Sequence, residues 1–386
     1  MRPASVFLYV QHLLGVGHLK RAATLARGFA GQGLQVTVAS GGMPVGAIDF
    51  GAARVVQLPP VATADLGFRR LVDADGREVD EAWRARRAAE LRAAWDASGA
   101  DALVVELFPF GRRQMRFELL PMLEAACARR PRPLVVSSVR DLLGGRGTPE
   151  RQAEAMGWVE RYFDRILVHS DPTVVPFGRS FPRAAELGER LAYTGYVVDA
   201  EGVAQTGEGD EVLVSAGGGA VGVPLLQAAV RARALSSARA RPWRVLGGEN
   251  IAAKALEDLR RLALAEGGTD IVVERSRPDF TALLARCALS ISQAGYNTLM
   301  ETVCARARAV VVPFSGGQET EQGLRAAMFA ARGLVQVVEE PALTPTALAA
   351  AIDRALAQPR PGALGLDVGG ASRSARLLVE WLGARP

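Results

Sequence analysis

Two stretches of this sequence carry residue types whose spacing could do chemistry. The first is SQAGYNTLMETVCARARAVVVPFSGGQETEQ, residues 292–322. A strand ending at Ser292 leads into Gly295, which permits close approach of the backbone to a ligand. Asn297 or Thr298 can then cap a helix, whose free N–H groups favour an anion. Glu301 falls about one turn further on, where its carboxylate could accept two hydrogen bonds from vicinal hydroxyls. After the next strand, AVVVPF, a polar loop carries Gln318, Glu319, Glu321 and Gln322. Acceptors at a strand end suit sugar hydroxyls. The plain alternative is a capped surface helix followed by a solvated loop. The second stretch is GVGHLKRAATLA, residues 15–26, which sets a glycine-bracketed histidine, His18, at the mouth of a helix. The chain has three histidines in all. His12 has no comparable setting. His169, in LVHSDP, stands at a strand end where it could line a ligand site or cap a turn.

Such residues need elements to position them. SVFLYV is a short apolar run rich in β-formers, and apolar residues recur at helical spacing from Lys20 to Phe29. Gly31 and Gly33 close that segment, and LQVTVAS follows as a second strand. This is a βαβ unit, and its grammar continues through DALVVEL, QMRFELLPMLEAACARR, PLVVSSV and RILVHS. The stretch from Glu78 to Ser98 is charged and helical, and Pro59 to Gly76 is a polar, turn-rich loop of the kind that carries specificity. AEGVAQTGEGD then reads as a linker, after which EVLVSA, GGGAVG and PLLQAAVRARAL restart the pattern. The expected organisation is α/β: a first Rossmann-like domain over 1–197, a linker over 198–210 and a second over 211–386. The last helix is free to pack back on the first domain. Each domain opens with a strand and a glycine turn feeding a helix. In the second, Gly217, Gly218 and Gly219 form that turn, which lacks the Lys-Ser/Thr of a P-loop. Set face to face, two such sheets would enclose a cleft with helix N-termini suited to a diphosphate.

Composition narrows the class. Half-apolar content (49%) with 23% charged residues is that of a globular chain, and 386 residues suit two domains. No uninterrupted apolar run reaches about 18 residues, and the N-terminal run leads straight into a glycine turn and Lys20, so a buried strand is expected rather than a signal peptide. The three cysteines, Cys127, Cys287 and Cys304, are too scattered for a disulfide framework or metal site and fit a reducing cytoplasm. The net charge of +5 comes almost entirely from arginine, since Lys20 and Lys254 are the only lysines. It is spread rather than blocky, which admits anionic small ligands or contact with an anionic membrane surface and gives no argument for nucleic acid.

The motifs also carry a resemblance. QAGYNTLME resembles the nucleotide-sugar signature of plant-type UDP-glycosyltransferases, His-Cys-Gly-Trp-Asn-Ser followed by a glutamate, and QETEQ falls where that family has Asp-Gln. The same region is similar to the peptidoglycan N-acetylglucosaminyltransferase group, glycosyltransferase family 28. GVGHLKRAATLA and ELFPFGRRQ look closest to predicted bacterial glycosyltransferases of that superfamily. Gln293 departs from the plant histidine, and the tryptophan that stacks on uracil has no counterpart, with Arg275 standing nearest.

The resemblance implies a GT-B fold and a role for each position. Glu301 would hold the nucleotide ribose hydroxyls. Gly295, Asn297 and Thr298 would approach the diphosphate, with the glycine turn Gly217–Gly219 opening the donor domain. Gln318, Glu321 and Gln322 fall near the donor sugar. His18 occupies the family's N-terminal Gly-His position, where a neutral imidazole could take a proton from an acceptor hydroxyl. Such a base wants an orienting carboxylate. Glu106, at a strand end in DALVVELFPF, matches the aspartate that pairs with histidine in plant-type enzymes. The plainer alternatives are phosphate contact or turn capping for His18, and a salt bridge to Arg112 or Arg113 for Glu106. The implied activity is an inverting, metal-independent transfer of a sugar from a nucleoside-diphosphate sugar, UDP-linked, to a small-molecule or lipid-linked hydroxyl acceptor, without a cofactor. That places the protein in the cytoplasm, free or at the inner membrane face. A nucleotide-sugar hydrolase of the same fold, an epimerase and a non-catalytic nucleotide-sugar-binding protein stay open.

Overall fold

All six residues of SVFLYV are buried, as a parallel strand covered by helices on both faces requires. This strand, β1 (Ser5–Val10), feeds α1 (Gly17–Gly31), and β2 (Gln35–Ser40) returns parallel to it. The computed structural model describes residues 2–385 apart from 47, 66, 68–69, 145–146, 200–208, 218–221, 249–250, 317–319 and 363–364. They form two compact units, Met1–Val198 with Leu366–Pro386, and Asp199–Gly365. Most of the 198–210 linker, together with Gly218, Gly219 and Gln318, therefore lies outside the described residues.

In the first unit, β3 (Arg54–Gln57) is followed by a small antiparallel pair, β4 (Ala62–Thr63) and β5 (Leu71–Val72), inside the stretch expected to be loop. Helix α2 (Glu81–Ser98) starts at Asp80, whose side chain accepts from Trp83 N at 2.7 Å, and ends at Gly99 with φ 54°. Then come β6 (Ala102–Glu106), α3 (Arg116–Ala128), β7 (Leu134–Arg140), α4 (Pro149–Tyr162), β8 (Arg165–His169) and β9 (Leu191–Tyr193). The seven-stranded sheet runs β3-β2-β1-β6-β7-β8-β9, parallel throughout.

The second unit repeats the scheme. Its elements are β10 (Val212–Ser215), α5 (Val223–Ala232), β11 (Trp243–Gly247), α6 (Ala253–Gly267), β12 (Ile271–Arg275), α7 (Phe280–Arg286), β13 (Leu289–Ser292), α8 (Tyr296–Cys304), β14 (Ala309–Val311), α9 (Glu321–Ala330), β15 (Gln336–Val337) and α10 (Pro345–Leu356). The sheet runs β12-β11-β10-β13-β14-β15, again parallel. Pro224 stands in the first turn of α5, where its missing N–H costs nothing. The chain then returns to the first unit through α11 (Gly370–Gly383), whose Ala375 and Leu378 join the core of Leu25 and Phe29. Gly28 permits that close helix crossing: a Cβ there would lie 3.1 Å from the carbonyl oxygen of Ala371.

In each sheet the strand order reverses once, between β1 and β6 and between β10 and β13. The connections leaving the two central strands part to opposite sides there, and ligands of open α/β sheets bind at the carboxyl ends beside that point.

Candidate active site

The reversal in the first sheet brings His18 and Glu106 together. β1 and β6 are paired in register, Val6 with Ala102 through Tyr9 with Val105, so the turn after one abuts the end of the other. His18 is the second residue of α1, and its Nδ1 lies 2.7 Å from Glu106 Oε1. The Glu106 side chain is 1% exposed and that of His18 13%. Leu107, immediately after Glu106, has φ 66°, a left-handed conformation that costs a non-glycine residue about 1–2 kcal/mol. Its N–H is fixed to Ser138 O at 2.8 Å, so the turn that aims Glu106 is over-determined by its surroundings.

Burial pushes the His18 imidazole down, to about 3; Glu106 opposes this only in part, and Arg112 and Arg140 add to it. Burial pushes the Glu106 carboxyl up, but His18, Arg21 and Arg112 outweigh it and hold it at about 2. An ionised carboxylate only accepts, so the short contact places the ring hydrogen on Nδ1 and leaves the Nε2 lone pair available. That is the tautomer a general base needs.

The ion pair of Glu106 is formed with Arg21, not with the neighbouring arginines. Arg112, at φ 58°, turns its Nε to Gln11 O at 2.9 Å, and Arg113 pairs with Glu154. Arg21 was overlooked in sequence, although His-x-x-Arg at the head of a helix is an i,i+3 pair on one face. His169 is fully buried, with Nε2 2.7 Å from Ser138 Oγ and Nδ1 2.9 Å from Thr194 Oγ1. It clasps three strand ends from inside.

In the second sheet, Gly217 follows β10 with φ 67°, and its N–H donates to Ser215 Oγ at 3.1 Å. A Cβ at Gly217 would lie 3.6 Å from Thr298 Oγ1, so the turns after β10 and β13 also abut. Helix α8 begins at Tyr296, with Gly295 as its N-cap and no side-chain cap. Asn297 and Thr298, expected as caps, instead lie inside the first turn, because the helix already starts after Gly295, which is extended at φ −61° and ψ 145°. Glu301 lies one turn further along, 8% exposed. Burial and then the Glu301 carboxylate push the Cys304 thiol up to about 11.

The two later positions sit differently. Glu321 is 2% exposed at the start of α9, and Gln322 Oε1 accepts from Phe314 N at 3.1 Å. Arg325, not picked out in sequence, joins this loop to the motif. Its Nη1 donates to Ala294 O at 3.1 Å, its Nη2 lies 3.6 Å from Glu321 Oε2, and its guanidinium stands over the Tyr296 ring at 5.6 Å. The signal was the Glu-Arg i,i+4 spacing.

Residues 219–362 match the glycosyltransferase family 28 C-terminal domain. Along the whole chain, the structure is similar to CalG4, the calicheamicin glycosyltransferase, with a TM-score of 0.63 at 18% identity, covering 100% of this chain and 99% of that one. MurG of Acinetobacter baumannii gives 0.57 at 14% identity, covering 99% and 100%. The spinosyn rhamnosyltransferase SpnG complexed with thymidine diphosphate gives 0.58 at 18% identity, covering 99% and 96%. No curated protein matches the sequence. The chain has the GT-B fold, and its residues 219–362 carry the family 28 likeness. In this GT-B chain, no group of three or more His, Cys, Asp or Glu is arranged to hold a metal ion among the described residues. No described helix is long and apolar enough to cross a membrane.

Proposed function

We propose that this chain is an inverting glycosyltransferase that moves a sugar from a nucleoside-diphosphate sugar to a hydroxyl acceptor. The observation that carries the proposal is the His18–Glu106 pair at the reversal point of the first sheet, in a chain whose second half matches the family 28 domain. His18 Nε2 takes the acceptor proton as the hydroxyl oxygen attacks the anomeric carbon, and Glu106 holds the ring and balances the imidazolium. The bond to the diphosphate oxygen breaks on the opposite side, which inverts the anomeric centre. The first turn of α8, whose N-cap Gly295 brings no side-chain cap, and the turn at Gly217 receive the negative charge on the leaving group, so the route needs no metal ion. Glu301 accepts from the ribose hydroxyls. Glu321 and Gln322, tied into the loop beside Arg325, shape the wall next to the donor sugar more than they reach into it. Uridine as the base rests on the likeness of QAGYNTLME to the UDP-sugar signature. Thymidine diphosphate, the nucleotide in the SpnG structure, is the natural competitor.

The test is thermal stabilisation by a panel of UDP- and dTDP-sugars, followed by product analysis with candidate acceptors. A ligand at a hundred times its dissociation constant adds about 2.7 kcal/mol. Absence of stabilisation by every nucleotide sugar would sink the assignment. Release of free sugar from donor alone at about 1 s⁻¹ or faster would make the protein a hydrolase, with His18 activating water.

A further inference from the structure

The His18–Glu106 pair has a third member. Arg21 follows His18 at i+3 on α1 and is 2% exposed. Its Nη2 donates to Glu106 Oε1, the oxygen that His18 Nδ1 also contacts, and lies 3.2 Å from Nδ1. Oε2 of the same carboxylate is buried without a hydrogen-bond partner among the described residues. Among the described residues, the side-chain hydrogen bonding of Glu106 therefore converges on one oxygen, shared by an imidazole and a guanidinium.

This sharing has a chemical consequence. A carboxylate that met only an imidazole would draw a proton onto it, since an opposite charge this close favours the charged form by about 1–3 pH units. A guanidinium stays protonated and already answers the carboxylate's charge. The charged groups facing His18 are Arg21 on its own helix, Glu106 at the end of β6, Arg112 beyond it and Arg140 at the end of β7. His169 on β8, clasped by Ser138 and Thr194, completes the surroundings. One carboxylate thus stands among three guanidinium groups, and a protonated His18 would be a fourth cation.

We propose that Arg21 is the positioning residue of the site: by occupying the same Glu106 oxygen as His18, it fixes that carboxylate as an anion and keeps the ring neutral, with Nε2 directed outward. The inference rests on the reading of His18 as the general base. Without the Arg21 charge, the pair takes up a proton at higher pH and the base is lost in that range.

The test is an NMR titration of the histidine rings in the full chain, with His18 assigned by its absence in His18→Ala. With three histidines the spectrum is tractable. The variants are Arg21→Met, Arg21→Gln and Arg21→Lys, each checked for cooperative melting. In the wild type and in Arg21→Lys, the His18 midpoint should lie well below 6.5. In Arg21→Met and Arg21→Gln it should rise by about 1–3 pH units. The acid limb of kcat/KM should rise with it, leaving donor KM unchanged. An unmoved midpoint in either neutral variant overturns the proposal, even if activity falls. If neither neutral variant folds, Arg21→Lys decides: a low midpoint supports the charge argument and a raised one overturns it. A midpoint that rises without moving the acid limb leaves Arg21 its role and sinks the general-base reading instead.

Discussion

The two sheets reverse their strand order in the same way, yet what they present at that point differs in kind. Between β1 and β6 the chain presents buried ionisable side chains, the neutral His18 with the charged Arg21 and Glu106, and Arg112 close by. Between β10 and β13 it presents backbone: a left-handed glycine, a helix start without a side-chain cap, and the short side chains of Ser215 and Thr298. Proton transfer needs a titratable group whose pKa is set by its surroundings. Gripping a diphosphate needs N–H donors that never titrate. One topology thus serves as a frame for either, and the side chains at the strand ends decide which.

The largest effect is expected at His18. His18→Ala should lower kcat by about 10²–10⁴-fold while leaving donor affinity nearly unchanged. Glu106→Gln should cost less, and the double variant should be little worse than His18→Ala, because groups acting as a unit are not additive. Loss of donor binding in His18→Ala would move His18 to the phosphate and erase the difference between the two sites.

The opposite outcome is expected at Glu301. In the proposed role, replacing it with Ala removes charge-assisted hydrogen bonds to the ribose worth about 1.5–3 kcal/mol each. Donor affinity measured by calorimetry should fall roughly ten- to a hundredfold. Because Glu301 is buried, the melting temperature of the variant should be followed alongside. Unchanged donor affinity would leave Glu301 as a helix residue only.

A smaller effect should follow from Gly217→Ala. The left-handed φ of 67° costs a residue with a Cβ about 1–2 kcal/mol, while that Cβ would make only an ordinary contact, 3.6 Å, with Thr298 Oγ1. Donor affinity should drop roughly five- to thirtyfold as the turn shifts, with the acceptor-side chemistry untouched. A loss confined to kcat would contradict the division between the sites.

How much of this was legible in the sequence depended on chain distance. The central strands announce themselves as unbroken apolar runs, as SVFLYV does, because both faces are covered. β3 does not, since Arg54, Val55 and Gln57 are exposed on an edge strand, and β9 and β15 are only three and two residues long. His18 and Glu106 stand 88 residues apart, and only a family resemblance or a known strand order can join them. The same distance hid the ion pair of Glu106. Arg112 and Arg113 are its neighbours in sequence, but a left-handed turn sends one to Gln11 and the other pairs with Glu154. The helix cap at the second site lies two residues or more before the expected position, because α8 starts just after Gly295 without a side-chain cap, and so without the polar residue that marks a cap in sequence.

The smallest expected effect is that of pH on the rate, and it separates the two sites without any substitution. His18 is held at about 3, so between pH 8 and pH 5 its ring stays unprotonated. Glu106, held at about 2, stays ionised. The donor grip proposed at α8 and Gly217 offers backbone groups that do not titrate. The rate measured with saturating donor and acceptor should therefore change less than about twofold over that range, with no acid limb near 6.5. Stability behaves otherwise. In the unfolded chain the histidines titrate near 6.5, whereas burial lowers His12, His18 and His169 in the fold. Below 6.5 the unfolded state binds more protons than the folded state, so stability is lost as pH falls through that window. Glu106 adds to the loss below about 4.5. Melting temperatures should accordingly decline from about pH 6.5 downward while the rate of the surviving protein holds. An acid limb near 6.5 in the rate itself, at a pH where the fold is intact, would mean that His18 titrates as an ordinary imidazole and that the first site is not tuned as its geometry indicates.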